Sequence, residues 1–277
     1  MDLVFSDIHA DISALDKILK VTSLPNFKKE YGSFSRILNL GDLLERGIHP
    51  KQVLDKMNNM SENYPVESVI GNHDEAFLYN RQVSGSSLES IATHRMLNDE
   101  DLIFFKKNKD GTFGDQEFFD KKSDIICVHG GPLDPQKITP NNAGPESWMY
   151  QKSWQRLSEN EEFFSYAGYH YTAESAFQEA QNKTKNPIIL CGHQHEEAVL
   201  EKTNNTISDL LLKSEPKLEK FDDFSLEKKE FQIKDDTSYL VRVGLGGPEG
   251  YYGTGDAKPH FGLIDYDQNK ILLFTIN

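Results

Sequence analysis

The chain has 277 residues, of which 27% are charged and 37% hydrophobic, as in ordinary globular proteins. The formal net charge of −14 argues against broad binding to the nucleic-acid backbone. This net charge does not exclude an anionic substrate, because bound divalent cations would make the local charge positive. No apolar run approaches the roughly 20 residues that a membrane helix needs. Since a candidate site residue already stands at Asp7, we expect no cleaved signal peptide and a cytoplasmic protein.

Strand-like and helix-like segments alternate through the first half of the chain. Five short apolar runs predict strands buried on both faces, beginning at Leu3, Ile37, Val69, Ile125 and Ile188. Apolar residues at helical spacing predict helices over 11–20, 50–60, 75–79 and 88–107. Asp11 is a plausible N-cap of the first helix. This alternation predicts a doubly wound arrangement at least through residue 129.

The tail has a different pattern. Segments 238–243, 261–266 and 271–276 predict strands, the last two paired through the turn at 267–270. Strands after the last polar motif indicate a second sheet packed on the first. We therefore expect an α/β fold built as a four-layer α/β/β/α sandwich, with two mixed sheets flanked by helices.

We expect residues 1–277 to form one domain. Residues 203–236 are rich in charge and predict a charged insertion, which we interpret as a helical lobe rather than a mobile excursion. Aromatic residues over 148–171 favour core and lid packing over a base-stacking platform. Cys127 and Cys191 lie within apolar runs and are expected to be buried free thiols.

Each of the five apolar runs ends on residue types that bind hard or borderline divalent metals. Ligands gather beyond the carboxyl ends of strands in open α/β sheets, so five such runs aim their donors at one place. The predicted donors are Asp7, His9, Asp42, Asn72, His129, His193 and His195. Glycines beside them allow tight turns and close approach of the backbone; they are Gly41, Gly71, Gly130, Gly131 and Gly192.

Imidazole, carboxylate and carbonyl oxygen donors suit Mn, Fe or Zn better than a thiolate-preferring metal. Seven donors exceed one tetrahedral site and fit two ions that share a bridging carboxylate. Two ions roughly 3.5–4 Å apart clamp the oxygens of a phosphoryl displacement and make hydroxide available near neutral pH. We expect two divalent ions, with Mn first and Fe, Zn, Ni or Co as alternatives.

Five motifs, in this order, resemble the calcineurin-like metallophosphoesterase superfamily over roughly residues 2–200 and the closing strands. They are Asp7-Ile8-His9, Gly41-Asp42, Gly71-Asn72-His73-Asp74, Val128-His129-Gly130 and Gly192-His193-Gln194-His195. The resemblance implies a division of the metal ligands: Asp7, His9 and His195 for one ion, Asn72, His129 and His193 for the other, and Asp42 between them.

The resemblance also implies three catalytic residues. His73 would act as general acid or phosphate donor, with Asp74 or Glu45 as the partner that tunes it. Arg46 resembles the phosphate-binding arginine of protein Ser/Thr phosphatases and dinucleoside tetraphosphatases, since a guanidinium matches phosphate bidentately. A plain surface salt bridge is the alternative for Arg46.

Two features depart from that narrower branch. Glu45 stands where those enzymes usually carry an aspartate, and the ending Gly192–His195 is typical of phosphodiesterase-like relatives. The chain therefore combines features of both branches. The remaining histidines are expected to be structural or to lie at the surface, with His260 the strongest candidate to approach the substrate; they are His49, His94, His170 and His260.

The resemblance implies a dimetal phosphoesterase that hydrolyses a P–O bond through metal-bound hydroxide. Its substrate would be a small phosphorylated molecule or a phosphoprotein segment. Phosphomonoesterase and phosphodiesterase both stay open, as do a Ser/Thr-type phosphatase and a dinucleoside polyphosphate hydrolase. A nuclease fits the charge of −14 less well. A catalytically silent scaffold would be expected to have lost ligand residues. We expect no membrane partner, and the oligomeric state is open.

Overall fold

A computed structural model describes residues 1–81, 85–204, 206–249 and 258–277 of the chain. Its strands, in chain order, are β1 (Asp2–Phe5), β2 (Arg36–Asn39), β3 (Val66–Ser68), β4 (Glu117–Asp120), β5 (Ile125–Val128), β6 (Arg156–Leu157), β7 (Glu162–Phe164), β8 (Gly168–Tyr171), β9 (Ile188–Cys191), β10 (Glu197–Thr203), β11 (Thr206–Asp209), β12 (Lys217–Phe221), β13 (Phe224–Gln232), β14 (Ser238–Val243), β15 (His260–Asp265) and β16 (Lys270–Ile276).

The α-helices are α1 (Ile12–Ser23), α2 (Pro25–Tyr31), α3 (Pro50–Ser61), α4 (Asn72–Leu78), α5 (Leu88–His94), α6 (Pro135–Ile138) and α7 (Ala173–Gln181). Short 3₁₀ turns occupy Asp101–Phe104, Gly144–Tyr150, Lys152–Trp154 and Leu211–Lys213. Asp11 caps α1 as predicted, because its side chain accepts a hydrogen bond from the Ala14 amide at 2.9 Å. In the described ranges no helix has the length and apolar character needed to cross a bilayer.

Two mixed sheets account for most of the strands in the described ranges. The first has the order β12-β13-β16-β15-β1-β2-β3, with β1, β2 and β3 parallel to one another. The second has the order β11-β10-β14-β9-β5-β4, with β14, β9 and β5 parallel. A third, three-stranded sheet has the order β6-β8-β7. In the first sheet the parallel strands lie at one edge, which ends at β3, whereas in the second sheet they lie between antiparallel strands.

The large sheets pack face to face, and alternation along their strands divides each strand between two cores. Val4 of β1 and Leu190 of β9 lie in the cluster between the sheets. Their neighbours Leu3 and Phe5 face outward against α1 and α3, and Ile189 faces outward against α7. The predicted α/β/β/α sandwich is therefore confirmed, and a side-chain period of two produces it.

The predicted doubly wound arrangement does not continue through residue 129, because β5 belongs to the second sheet. The short, half-buried strand β3 ends the first sheet, after which the chain crosses through α4 and α5 to the β4–β5 hairpin. The predicted helix over 88–107 is also too long, since α5 ends at His94. Side chains of Asn98 and Asp101 bond nearby backbone amides and favour turns over helix there.

The helical interpretation of segment 203–236 is wrong as well. Apart from position 205, which the structure does not describe, the segment forms β11, β12 and β13 at the edges of the two sheets. Lys228 of β13 pairs with Glu219 of β12 at 2.9 Å, so the charges that resembled a solvated lobe match across strands. Leu226 and Phe231 are buried in the cores. The assignment of a single domain stays a prediction.

Cys127 and Cys191 are buried free thiols, as expected. The aromatic residues over 148–171 are divided between core and surface. Tyr150 and Trp154 are buried, whereas Tyr166 is 91% exposed. This segment carries the small β6-β8-β7 sheet and lies over the loop that follows β5.

We predict that Leu190→Ala lowers the free energy of unfolding by about 2–5 kcal/mol, because it leaves a cavity between the sheets. Leu190 is fully buried there. Urea denaturation checks this, with Leu212→Ala, whose side chain is 85% exposed, as the matched control. Equal losses in the two variants would contradict the assigned core.

Candidate metal centre

The predicted donors all follow the carboxyl ends of parallel strands. Asp7 and His9 come after β1, Asp42 after β2, and Asn72 opens α4 after β3. From the second sheet, His129 comes after β5, and His193 and His195 come after β9. Because the two sheets are packed together, both sets of loops meet at one end of the sandwich.

A first group of donors consists of Asp7, His9 and His195. One potential ligand atom from each lies within 4.8 Å of the others. The Nε2 atoms of His9 and His195 face each other at 3.2 Å, and Asp7 Oδ1 lies 3.4 Å from His195 Nε2. The second Asp7 oxygen accepts a hydrogen bond from the His193 amide at 3.0 Å. Asp7 Oδ1 is thereby directed toward the two rings.

A second group consists of Asp42, His129 and His193, whose ligand atoms satisfy the same 4.8 Å criterion. Asn72 joins it, with Oδ1 3.1 Å from His129 Nε2. His129 Nδ1 lies 2.7 Å from the Leu40 carbonyl, so Nδ1 carries the donated proton and Nε2 faces the group.

Asp42 touches both groups. Its Oδ1 accepts a hydrogen bond from the His73 amide at 2.8 Å, which fixes the carboxyl plane. Its Oδ2 lies 3.2 Å from His129 Nε2 in the second group and 3.8 Å from His9 Nε2 in the first. A carboxylate oxygen so placed can serve two cations at once.

Buried polar atoms at this centre fit a cation. Asp7 Oδ1, Asp42 Oδ2 and His193 Nε2 are buried, and none has a hydrogen-bond partner among the described residues. Buried polar atoms in proteins are normally satisfied, since leaving one unpaired costs about 1–3 kcal/mol. Two anionic oxygens and an imidazole nitrogen directed into one space match the donor preference of divalent transition metals.

The protonation states of the histidine rings also fit the binding of cations. Burial lowers the pKa of His9 and His193 well below the ordinary histidine value, so both rings are neutral and able to ligate. Burial works against a charge on His129, but the Asp42 carboxylate raises the pKa of that ring to about 9. A cation between His129 Nε2 and Asp42 Oδ2 would take the place of that proton.

The backbone at the donors adopts a conformation that side chains rarely accept. Five donor positions have φ between 48° and 68°, in the left-handed region: Asp7, His9, Asp42, His193 and His195. Such residues cost on the order of 1–3 kcal/mol each and cluster at functional sites. At Gly71 an added Cβ would lie 2.0 Å from Asp42 Oδ1, so only glycine lets the two loops approach so closely.

The Asp74 carboxyl stabilises the loop that carries Asp42 through hydrogen bonds. Its buried carboxyl accepts hydrogen bonds from three amides, those of Asp42 at 2.8 Å, Leu44 at 2.9 Å and Gly71 at 3.1 Å. The resemblance predicts Asp74 as a catalytic residue and a possible partner of His73. Its contacts with backbone amides favour a positioning role instead.

Glu45 is the partner that the structure gives to His73. Glu45 Oε2 lies 2.7 Å from His73 Nδ1, which leaves Nε2 as the other ring nitrogen on the cavity side. The Glu45 amide in turn donates a hydrogen bond to His94 Nε2 at 2.7 Å, and His94 Nδ1 contacts the Ser90 carbonyl. His94, expected to be structural, thus holds the loop that carries Glu45.

A polar cavity of about 320 Å³ opens over the donors. His73 and Arg46 line it, as the sequence predicted, and Arg156 lines it from β6. The Arg46 guanidinium packs closely on Gly85, where an added Cβ would overlap Nη1. A salt-bridge role for Arg46 stays an alternative to phosphate binding.

Sequence reasoning missed Arg156. The segment that carries it crosses the loop after β5, where the Lys152 carbonyl accepts hydrogen bonds from the amides of Gly130 and Gly131 at 3.0 and 2.9 Å. An added Cβ at Gly130 would lie 2.3 Å from the Gln155 carbonyl oxygen. The Gly130-Gly131 pair signals that another backbone passes there, but the sequence does not say which one.

The other histidines lie outside the residues that line this cavity. His260, the strongest candidate among them, lies with Nδ1 2.9 Å from Glu197 Oε1 on β10, a strand of the other large sheet. His49 Nε2 lies 4.0 Å from a Glu249 oxygen. His170 belongs to β8 and contacts the Phe164 ring.

Comparison with known proteins agrees with this geometry. The sequence pattern described as calcineurin-like phosphoesterase matches residues 3–197, so the chain belongs to the calcineurin-like phosphoesterase family. It is accordingly a metal-dependent hydrolase that acts on phosphoester bonds. No curated protein matches the sequence.

Solved structures share the fold at low sequence identity. A metallophosphoesterase from Sphaerobacter thermophilus is 17% identical, with a TM-score of 0.58, and the match covers 100% of this chain and 87% of that one. A protein serine/threonine phosphatase from Saccharomyces cerevisiae is 12% identical, with a TM-score of 0.54 and coverage of 99% and 79%. A protein-tyrosine phosphatase from a psychrophilic Shewanella is 13% identical, with a TM-score of 0.51 and coverage of 96% and 75%.

We predict that Asp42→Asn lowers the metal content more than any other single donor change, because it removes the charge adjacent to both groups. Purified protein exchanged into Mn²⁺ and then desalted should retain two ions per chain, and the variant should retain one or none by elemental analysis. Asp99→Asn, an exposed change of the same chemistry, is the control. Full retention in Asp42→Asn would contradict the shared position of this carboxylate.

Proposed function

We propose that the chain is a dimetal phosphomonoesterase that removes a terminal phosphate from a small phosphorylated molecule or a phosphoprotein segment. The observation that supports this most is the presence of two arginines, Arg46 and Arg156, in the same small cavity as the donor groups. A monoester dianion offers three non-bridging oxygens and two charges, which such a cavity can match.

The two donor groups are the proposed ligands of two divalent ions. Asp7, His9 and His195 would hold one, Asn72, His129 and His193 the other, and Asp42 would serve both. When bound, such ions supply Lewis acidity toward phosphate oxygens and lower the pKa of water. Mn²⁺ is the proposed native metal, with Fe, Zn, Ni or Co as alternatives.

His73 is the proposed proton donor to the leaving oxygen. The Glu45 carboxylate, 2.7 Å from Nδ1, orients the ring. The His73 and His9 rings meet edge to face with centroids 5.0 Å apart, which places His73 beside the first donor group without making it a member.

Arg46 and Arg156 are the proposed anchors of the phosphate. They approach the cavity from different elements, Arg46 from the loop after β2 and Arg156 from β6. Two guanidiniums favour a dianionic monoester, because a diester has one charge and a second alcohol substituent to accommodate. The cavity of about 320 Å³ is also small for two substituents.

Two alternatives have less support. A catalytically silent scaffold would not be expected to keep all seven donors and the His73–Glu45 pair. A nuclease would require a basic surface for the nucleic-acid backbone, which a net charge of −14 does not favour.

Parallel assays with p-nitrophenyl phosphate and bis-p-nitrophenyl phosphate in Mn²⁺ test the proposal. We expect kcat/KM to be about 10- to 100-fold higher for the monoester, the range set by losing one charge-assisted hydrogen bond. Chelation with EDTA should abolish both activities. Faster hydrolysis of the diester would overturn the monoesterase assignment. If neither compound were hydrolysed, the proposal that the chain is an active phosphoesterase would be overturned.

We predict that His73→Ala lowers kcat by about 10²–10⁴-fold, as for a lost general acid, and leaves the metal content unchanged. Glu45→Gln should lower kcat less, since the ring keeps a hydrogen-bond partner. His49→Ala, outside the cavity, is the matched control. Loss of metal from His73→Ala would make His73 a ligand and refute its assigned role.

A further inference from the structure

We propose that Gln194, which lies between the two histidines of the last motif, is a positioning residue that holds Arg156 in place over the donor groups. This inference rests on the proposed function, in which Arg156 binds phosphate. Gln194 lines the cavity, but its side-chain amide is engaged with backbone and with Arg242, away from the donor atoms.

Gln194 pairs with the backbone of Leu157, the residue after Arg156. The Leu157 amide donates a hydrogen bond to Gln194 Oε1 at 2.8 Å, and Gln194 Nε2 donates one to the Leu157 carbonyl at 3.1 Å. β6 is an edge strand whose other side pairs with β8. The glutamine side chain therefore takes the place of a neighbouring strand along the open edge of β6.

Arg242 fixes the orientation of the Gln194 amide. This buried arginine of β14 donates from Nη1 to Gln194 Oε1 at 2.8 Å and from Nε to the Glu196 carbonyl at 2.6 Å. Since two donors face Oε1, the amide has one favourable orientation, with Nε2 toward the Leu157 carbonyl. The Gln194 amide is thus held on one side by the Leu157 backbone and on the other by Arg242.

This pairing links the metal loop to the phosphate-binding strand. His193 and His195 belong to the two donor groups, and Gln194 between them holds the strand that presents Arg156. On the far side, Arg156 Nε donates to the Ala167 carbonyl at 2.7 Å, which restrains the guanidinium. A shift of β6 relative to the metal loop would move the guanidinium away from the phosphate, although no donor atom had changed.

The test compares Gln194→Ala, Arg156→Ala, the double variant and Gln178→Ala, an exposed glutamine of α7, as control. Three quantities are measured: metal content, steady-state kinetics on p-nitrophenyl phosphate, and backbone amide exchange of peptides covering Leu157. We expect Gln194→Ala to keep two ions, to raise KM about 10-fold with kcat nearly unchanged, and to speed exchange at Leu157 about 10-fold or more. The double variant should be no worse than Arg156→Ala, because Gln194 acts through Arg156.

Different failures identify different errors. Multiplicative effects in the double variant, unchanged exchange at Leu157, or loss of metal from Gln194→Ala would each overturn the positioning role while leaving the monoesterase intact. Faster exchange together with an unaltered KM in Arg156→Ala would refute the phosphate role of Arg156. That result would remove the part of the proposed function on which the inference rests.

Discussion

The position of one buried oxygen, Asp42 Oδ2, governs the rest of the site. It lies between His129 of one donor group and His9 of the other, and the described residues give it no hydrogen bond. A buried carboxylate that is left uncompensated is costly, so it must share a proton or bind a cation. Cations bound there would compensate the charge for both groups at once, which fits the close approach of so many donors.

Contacts in the surrounding fold hold the donor side chains in these positions. Asp74 ties three backbone amides beneath the Asp42 loop, and Gly71 lets the neighbouring loop pass close to the carboxyl. Left-handed backbone at His9 and His193 turns each chain sharply after its strand. These backbone costs are local, and the three apolar clusters of the sandwich offset them by packing the strands that lead into the loops.

The sequence predicted the part of the site that depends on local pattern. Each donor follows a short apolar run, and these runs predicted the strands that lead into the site. The parts that failed depend on contacts between distant segments. Arg156 belongs to a two-residue strand with no pattern of its own, and its neighbours Lys152 and Leu157 make the contacts, with Gly130 and Gln194, that bring it to the cavity. The prediction of a helical lobe over 203–236 failed because the partners of β13, in β12 and β16, could not be recognised from charge alone.

The local charges at the centre explain how a protein with a negative net charge can bind an anionic substrate. A net charge of −14 would repel phosphate in general, yet the cavity brings Arg46 and Arg156 to one small volume beside the cation-binding groups. Attraction is thus confined to the site. Specificity for a terminal phosphate would then follow from the geometry of these few groups, and the charge elsewhere would discourage polyanions such as nucleic acids.

Anomalous scattering from crystals of the Mn²⁺-loaded protein tests the central claim most directly. Two peaks are predicted, roughly 3.5–4 Å apart, one against Asp7, His9 and His195 and the other against His129 and His193, with Asp42 in contact with both. A single peak, or two peaks of which only one touches Asp42, would contradict the account.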